Sequence, residues 1–331
     1  MTGLRYGFSI ICLLILSASA AFSQAANYPD KTVTIISDSA AGSSPDVVAR
    51  FVAEGLSKLW GQQVIVVNKP GANGSLAAHA ASEATPDGYT LFLGTLSTFV
   101  ALPNIAPNIP VKLPRDFLPI GYCADQPMFI AASPTLGVNT LPELIARAKK
   151  EPGKISIAAT GIGRLTHMTG ELLQDRADIK LLPVPYTHGP ASAIGDIADG
   201  RVSMIVEGYS GIVGAVKAGQ VKLLATGAAE RLPEFPDLPT VAETLPGFLG
   251  VGWQVVVAPL GTPAPIVAKV SADMMKVLSD PEVKKKFGSF GNYPRPMTAD
   301  QTLAFVNKQQ ETWAPIVEKI AAQTAAQSGS K

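Results

Sequence analysis

Two stretches of this chain have residue types suited to holding an anion. Asp38-Ser39-Ala40-Ala41-Gly42-Ser43-Ser44 lies between a β-rich run, Thr32–Ser37, and a helix start, Ser44-Pro45-Asp46. Small side chains let backbone N–H groups approach a negative ligand, and a helix N-terminus adds about half a positive charge. Thr160-Gly161-Ile162-Gly163-Arg164 occupies the equivalent place in the second half of the chain, and Arg164 can grip a carboxylate through two N–H groups. Each has a plainer reading, as an ordinary strand-to-helix loop and as a solvated arginine. His167 and Glu171, four residues apart on one helix face, could be two metal ligands. No HExxH pattern and no third ligand accompany them, so an ion pair or capping pair is expected. The Gly-Ile-Gly run lacks the third glycine of a dinucleotide fingerprint, because Thr166 takes that place. No G-x-S-x-G elbow occurs, and Cys123 reads as a packed thiol. The inventory is that of a binding protein, not an enzyme, with no metal or cofactor.

The elements that must position these loops follow from patterning. Val47, Val48, Phe51, Val52, Leu56 and Leu59 give one apolar helix face that Gly61 ends. Val64–Val67 and Tyr89–Leu93 read as strands around an Ala-rich helix at Ser75–Ala84, which makes a βαβαβ unit. Such a unit favours a parallel sheet with right-handed crossovers. A second α/β region has strands at Met128–Ala132, Ile155–Ala159, Val184–Tyr186, Met204–Val206 and Leu223–Thr226, with helices at Leu141–Lys150 and Thr166–Gln174. Gln254–Ala258 is a further strand. Helices at Pro265–Leu278 and Ala299–Ala322 close the chain, the last with a kink expected at Pro315. Ligands of such sheets bind beyond the C-terminal strand ends. That selects four loops: Asp38–Ser44, Gly94–Thr98, Thr160–Arg164 and Tyr186–Gly189.

Composition narrows the class. The 331 residues carry 27 Lys+Arg and 26 Asp+Glu, so no basic excess points to nucleic acid, and 47% apolar content does not suit a disordered chain. Arg5, an apolar run from about Phe8 to Leu16 and then small residues have the three-part layout of a secretory signal peptide. Cleavage fits after Ala20 or after Ala25, the second being preferred. Cys12 lacks a lipoprotein context. The apolar run is too short to span a bilayer. Removal of residues 1–25 leaves a neutral chain with one cysteine, hence no internal disulfide, and the expected compartment is the bacterial periplasm.

Nine stretches in order resemble the periplasmic solute receptors of tripartite tricarboxylate transporters, the Bug or TctC family. They include YPDKTVTII at Tyr28, AAGSSPDVVAR at Ala40, VVNKPGANGS at Val66, ATPDGYTLFLGT at Ala84, THMTGELL at Thr166 and GWQVVVAPLGTP at Gly252. The resemblance implies an α/β, two-lobed periplasmic binding protein fold of the class II type. Each lobe would be a mostly parallel sheet flanked by helices, joined to the other by two crossover strands. Lobe one would be 27–126 plus 254–331, and lobe two 127–253. It implies capture of a small organic acid in the interlobe cleft, through backbone amides and water, and delivery to membrane permease subunits by a monomer. A receptor that presents its ligand to a sensor kinase would share this fold, and a periplasmic enzyme would need a nucleophile–base pair that no known pattern here supplies.

Carried over residue by residue, the first loop matches the family pattern at Ala40, Ala41, Gly42, Ser44 and Asp46. Asp38 stands for a proline, Ser39 for an aromatic and Ser43 for a glycine. Arg164 stands where a small or hydroxyl residue is usual, Thr187 where a basic one is, and Glu207 where Asp is common. The candidate ligand-binding set is therefore Asp38, Ser39, Ala41, Gly42, Ser43, Ser44, Thr95, Ser97, Thr160, Gly161, Arg164, Thr166, His167, Tyr186 and Glu207. An acid at Asp38 disfavours a bare polyanion, because like charges in a closed cleft repel. Arg164 offsets it in part. The expected ligand is a mono- or dicarboxylate carrying a donor such as hydroxyl or amine.

Overall fold

The computed structural model describes residues 27–105, 108–186 and 188–328. The expected signal segment, Cys12 and Thr187 lie outside them. In chain order the strands are β1 (Val33–Ser37), β2 (Val64–Asn68), β3 (Thr90–Thr95), β4 (Phe117–Ala132), β5 (Ser156–Ala159), β6 (Leu182–Pro185), β7 (Met204–Gly208), β8 (Lys222–Thr226), β9 (Val251–Pro259) and β10 (Tyr293–Met297). The helices are α1 (Ser44–Trp60), α2 (Ser75–Ser82), α3 (Leu102–Ile105), α4 (Leu141–Lys150), α5 (Leu165–Ala177), α6 (Ala191–Ala198), α7 (Tyr209–Lys217), α8 (Ala264–Ser279), α9 (Pro281–Gly288) and α10 (Ala299–Ser328).

The strands run in the order β2-β1-β3-β9-β4-β7-β5-β6, with β8 and β10 also paired to β4. The outer pairs β1–β2, β1–β3, β5–β6 and β5–β7 are parallel, as the βαβ patterning requires. The parallel character stops at the centre, where β4 and β9 enter antiparallel to each other and to their neighbours. β4 is 16 residues long and belongs to both halves. It pairs with β9 from Phe117↔Pro259 to Pro127↔Val251, then with β7 from Met128↔Gly208 to Ala132↔Met204. These two strands join the two α/β halves of the sheet.

Local sequence accounts for the main elements. α1 has Pro45 in its first turn and buries Val48, Ala49, Val52, Ala53 and Leu56, spaced to lie on one face. Gly61 ends it in the left-handed conformation, with its N–H donating to Ser57 O. β10, Tyr-Pro-Arg-Pro-Met, escaped the patterning because two prolines argue against a strand; it pairs only with β4, the setting in which proline is tolerated. α6 and α7 escaped because Gly195, Gly211 and Gly214 blur helical periodicity. Pro315 lies inside one continuous helix that extends to Ser328.

The first half is sealed by aromatic packing: the Phe92 ring lies 5.5 Å from Phe117 and 6.2 Å from Phe99, all fully buried. Phe129, Tyr209 and Phe235 make a matching cluster in the second half, with centroids 4.6–5.3 Å apart. Truncating Phe92 removes a ring that β3 presents to the core. Phe92→Ala is expected to lower unfolding free energy by roughly 3–5 kcal/mol in urea titrations. A loss under 1 kcal/mol would show that this cluster does not hold the first half together.

Candidate functional site

A cavity of about 260 Å³ opens where β4 changes partner, with Gln126, Met128 and Trp253 along it. It is below the ~300–1,000 Å³ of sites for drug-sized molecules and suits a small metabolite. Four loops that follow strand ends supply the remaining surface. The β1–α1 loop gives Ser39 and Ser43, and the end of β3 gives Thr95 and Ser97. The β5–α5 loop gives Thr160, Gly161 and Arg164, and Thr166 follows in the first turn of α5. The β2–α2 loop, Pro70–Gly74, supplies the fourth. Glu207, on β7, lines the same space. Ser43, Gly74, Arg164 and Pro190 are the N-cap residues of α1, α2, α5 and α6, and all four line the cavity. Their helices therefore bring their positive ends to one place.

Arg164 crosses from one half of the sheet to the other. Its Nη2 donates to Asp38 O at 3.2 Å and to Ser39 Oγ at 3.1 Å. Its Nη1 lies 3.4 Å from Asp38 Oδ2 and is buried without a hydrogen-bond acceptor. Asp38 is fully buried. Its Oδ1 accepts from Ser39 Oγ at 2.6 Å, and its Oδ2 accepts from Thr95 Oγ1 at 3.2 Å and from Thr98 Oγ1. Two glycines make room for this. Gly161 has φ +141°, and a Cβ there would lie 2.8 Å from Arg164 Cγ. Gly74 has φ +97°, and a Cβ there would lie 3.1 Å from Asp38 Oδ2. A further link across the halves runs from the Leu165 N–H to Ser97 Oγ at 2.9 Å.

Glu207 is almost wholly buried. Its Oε1 accepts the Gly208 N–H at 2.9 Å. Burial pushes its carboxyl up to about 7, against the opposing effects of that N–H and of the Arg164 charge.

Six of the expected ligand-binding residues do not line this cavity. Asp38 sits behind Ser39 and Arg164, so its charge meets the guanidinium and not the cavity. Ala41 and Gly42 are exposed outside the cavity, and the Gly42 N–H donates to Asp46 Oδ2 at 2.9 Å. Asp46 also takes Arg50 and Asn68, so it shapes the loop. Ser44 is buried against the second half, its Oγ 2.7 Å from Ser210 Oγ and within 3.3 Å of Asn292 Nδ2. His167 faces the groove between α5 and α10. Its Nδ1 accepts the Gly163 N–H at 3.2 Å, its Nε2 lies 4.0 Å from Glu171, and burial lowers its pKa. Tyr186 donates to Asp196, and burial together with that carboxylate raises its hydroxyl to about 12.

Sequence reading missed the Pro70–Gly74 loop, Gln126, Met128 and Pro190. The loop had a signal: it follows a strand end, and Gly-Ala-Asn-Gly is rich in residues tolerant of positive φ. Ala72 and Asn73 take φ 43° and 57° there. Among the described residues no group of three His, Cys, Asp or Glu could hold a metal. No helix of the described residues is long and apolar enough to cross a membrane. Cys123 is buried, which pushes its thiol up to about 12.

A cleft between two lobes, floored by the crossover strands and ringed by helix N-termini, defines a ligand-binding protein. The profile of the tripartite tricarboxylate transporter family receptor, TctC, matches residues 48–322, and the chain belongs to that family of periplasmic solute-binding receptors. It is similar to BugT of Bordetella pertussis, 31% identical over 317 residues, covering 95% of this chain and 97% of BugT. Among solved structures it is similar to Rpa4515 of R. palustris with adipate, at TM-score 0.84 and 27% identity over 89% of this chain and 98% of that one. MatC from Rhodopseudomonas palustris with bound malate gives TM-score 0.79 and 30% identity over 88% and 100%.

Two stability measurements test this geometry. Arg164→Met strips the guanidinium from buried Asp38 and is expected to cost roughly 3–5 kcal/mol. Adding Asp38→Asn to that variant should recover part of the loss in urea unfolding, whereas strict additivity would mean that the pair is not coupled. For Glu207, the folded pKa lies above the ordinary carboxyl value of 4.5, so folding favours the protonated form. The wild type therefore loses stability as pH rises from about 4.5 through about 7. Glu207→Gln is expected to be more stable than wild type by roughly 3 kcal/mol at pH 8 and by much less at pH 5. A gap equal at both pH values would refute the assignment.

Proposed function

We propose that this chain captures a small organic carboxylate in its interlobe cleft and delivers it to the membrane permease subunits of a tripartite transporter. The lobes are taken as 27–126 plus 254–331 and 127–253, so both boundaries fall inside or beside the crossover strands. The N-terminal segment 1–25 is taken as a cleaved export signal, the periplasm as the compartment, and the monomer as the working form. Binding closes the lobes, and the ligand leaves unchanged.

The observation that carries this reading is Arg164, a cation that lines the cavity and whose buried Nη1 has no hydrogen-bond acceptor, Asp38 Oδ2 lying 3.4 Å away. A buried unsatisfied donor is costly, and a ligand carboxylate oxygen would answer it with a charge-assisted hydrogen bond. The N-cap residues around the same space favour an anion in the same sense. Adipate in one solved relative and malate in another support the carboxylate class. The charge balance restricts the ligand: the one cation lining the cavity among the described residues is already matched by Asp38, which favours a mono- or dicarboxylate with hydroxyl or amine over a tricarboxylate.

A thermal-shift screen of the mature chain against malate, adipate, aspartate, benzoate and citrate tests it. A ligand at ~100 Kd adds ~2.7 kcal/mol and raises the midpoint. Malate or adipate is expected to do so, and Arg164→Ala to weaken that binding by roughly 10–100-fold, as loss of a charged hydrogen bond implies. Tight citrate binding that survives Arg164→Ala would overturn this reading.

A further inference from the structure

The proposed carboxylate ligand has to enter a cavity whose charges do not favour a second negative group. Arg164 and Glu207 are the ionisable side chains lining it among the described residues. Arg164 is committed in part to Asp38, through Nη1 at 3.4 Å from the carboxylate and Nη2 on the Asp38 carbonyl. With Glu207 ionised, Asp38, Arg164 and Glu207 together carry one net negative charge before any ligand arrives. The buried setting leaves little water to screen an added carboxylate.

Glu207 is placed to relieve this. Its Oε1 is engaged by the Gly208 N–H, which leaves Oε2 as the position for a proton. The charged group facing it is Arg164, from the start of α5. Pro190 ahead of α6, Gly211 on α7 and Phe129 on β4, which pack or pair against it, carry no titratable group. His188 lies in the loop that leads to Pro190, and Tyr209, the other titratable residue nearby in the chain, turns its ring to Phe129 and Phe235.

We propose that the receptor takes up its carboxylate ligand together with one proton, which resides on Glu207 and is donated in a hydrogen bond to a ligand carboxylate oxygen, while Arg164, in the same lobe, donates to the ligand. The proton comes from solvent and no covalent bond changes. This rests on the carboxylate reading above. Burial already brings the free carboxyl to about 7, so little is needed to complete its protonation when an anion binds beside it.

Isothermal titration calorimetry with malate and adipate, at pH 5.5 and 8.5 and in pairs of buffers with different ionisation enthalpies, tests this. At pH 8.5 the buffer-dependent heat is expected to report close to one proton taken up per ligand, and at pH 5.5 close to none. Affinity should fall toward tenfold per pH unit above about 7. Glu207→Gln, a neutral isostere, should bind with little pH dependence and no proton uptake. Equal affinity at both pH values with no buffer dependence would overturn the proposal and leave the carboxylate reading standing. If neither these acids nor any other in the panel binds at either pH, the carboxylate reading falls and takes this proposal with it. Should Glu207→Gln fail to fold, the buffer-dependent heat of the wild type still decides.

Discussion

A carboxylate with no access to water has to be answered by the protein, and Asp38 is answered from both halves of the molecule. Three hydroxyls, of Ser39, Thr95 and Thr98, come from its own half, and the guanidinium of Arg164 comes from the other. The surrounding backbone is shaped by this demand. Gly74 leaves space for the carboxylate, and Gly161 lets the arginine stem fold back over its own loop. Burying an ion pair adds little net stability once desolvation is counted. Its consequence here is geometric. With Nη2 held by Asp38 O and Ser39 Oγ and Nη1 3.4 Å from Asp38 Oδ2, the guanidinium plane is fixed where Arg164 lines the cavity.

This inverts the role that charge counting alone gives Asp38. Read as a free acid in the cleft, it would repel a polyanion directly. In the structure it pairs with Arg164, the one cation lining the cavity among the described residues, so on the carboxylate reading proposed above the cleft would balance one added carboxylate far better than three. On that reading the cause of a restriction on ligand charge would be the lack of a spare cation and not repulsion.

How much was legible follows from what kind of information each feature needs. The strand-to-helix loops could be read because capping residues and apolar periodicity are local, and those loops brought Ser39, Ser43, Thr160, Gly161, Arg164 and Thr166 to the cavity. Glu207 and Ser97 were reached only through resemblance or through the rule about strand ends. Which way a side chain turns was not legible. Ser44 and Ser43 are neighbours of one type, yet one lines the cavity and the other pairs with Ser210. His167 looked available for a ligand, but α5 presents it to the groove along α10, where Glu171 is also held by Lys319 at 3.3 Å. The Pro70–Gly74 loop had a signal in its glycines and asparagine, but the left-handed conformation of Ala72 is one that its residue type does not announce.

The contacts between the halves are of three kinds, continuous strands, apolar packing in a buried cluster that has residues of both halves, and polar contacts, and they differ in what it would take to separate them. β4 and β9 are continuous through the junction, so any change in the angle between the lobes is a bend or twist of these strands, with the buried pair Gln126 and Gln254 moving as part of it. The polar links include Ser97 to Leu165, Ser44 to Ser210, Lys319 to Glu171, Tyr293 to Glu234, and Arg164 to Asp38. The first four involve neutral hydroxyls or a half-exposed lysine, which water replaces at a cost of about 1 kcal/mol each. Parting Arg164 from Asp38 costs more, because it leaves a buried carboxylate with hydroxyl donors alone. Among these polar links it is therefore the one that costs most to separate, and on the carboxylate reading proposed above the same guanidinium meets the ligand.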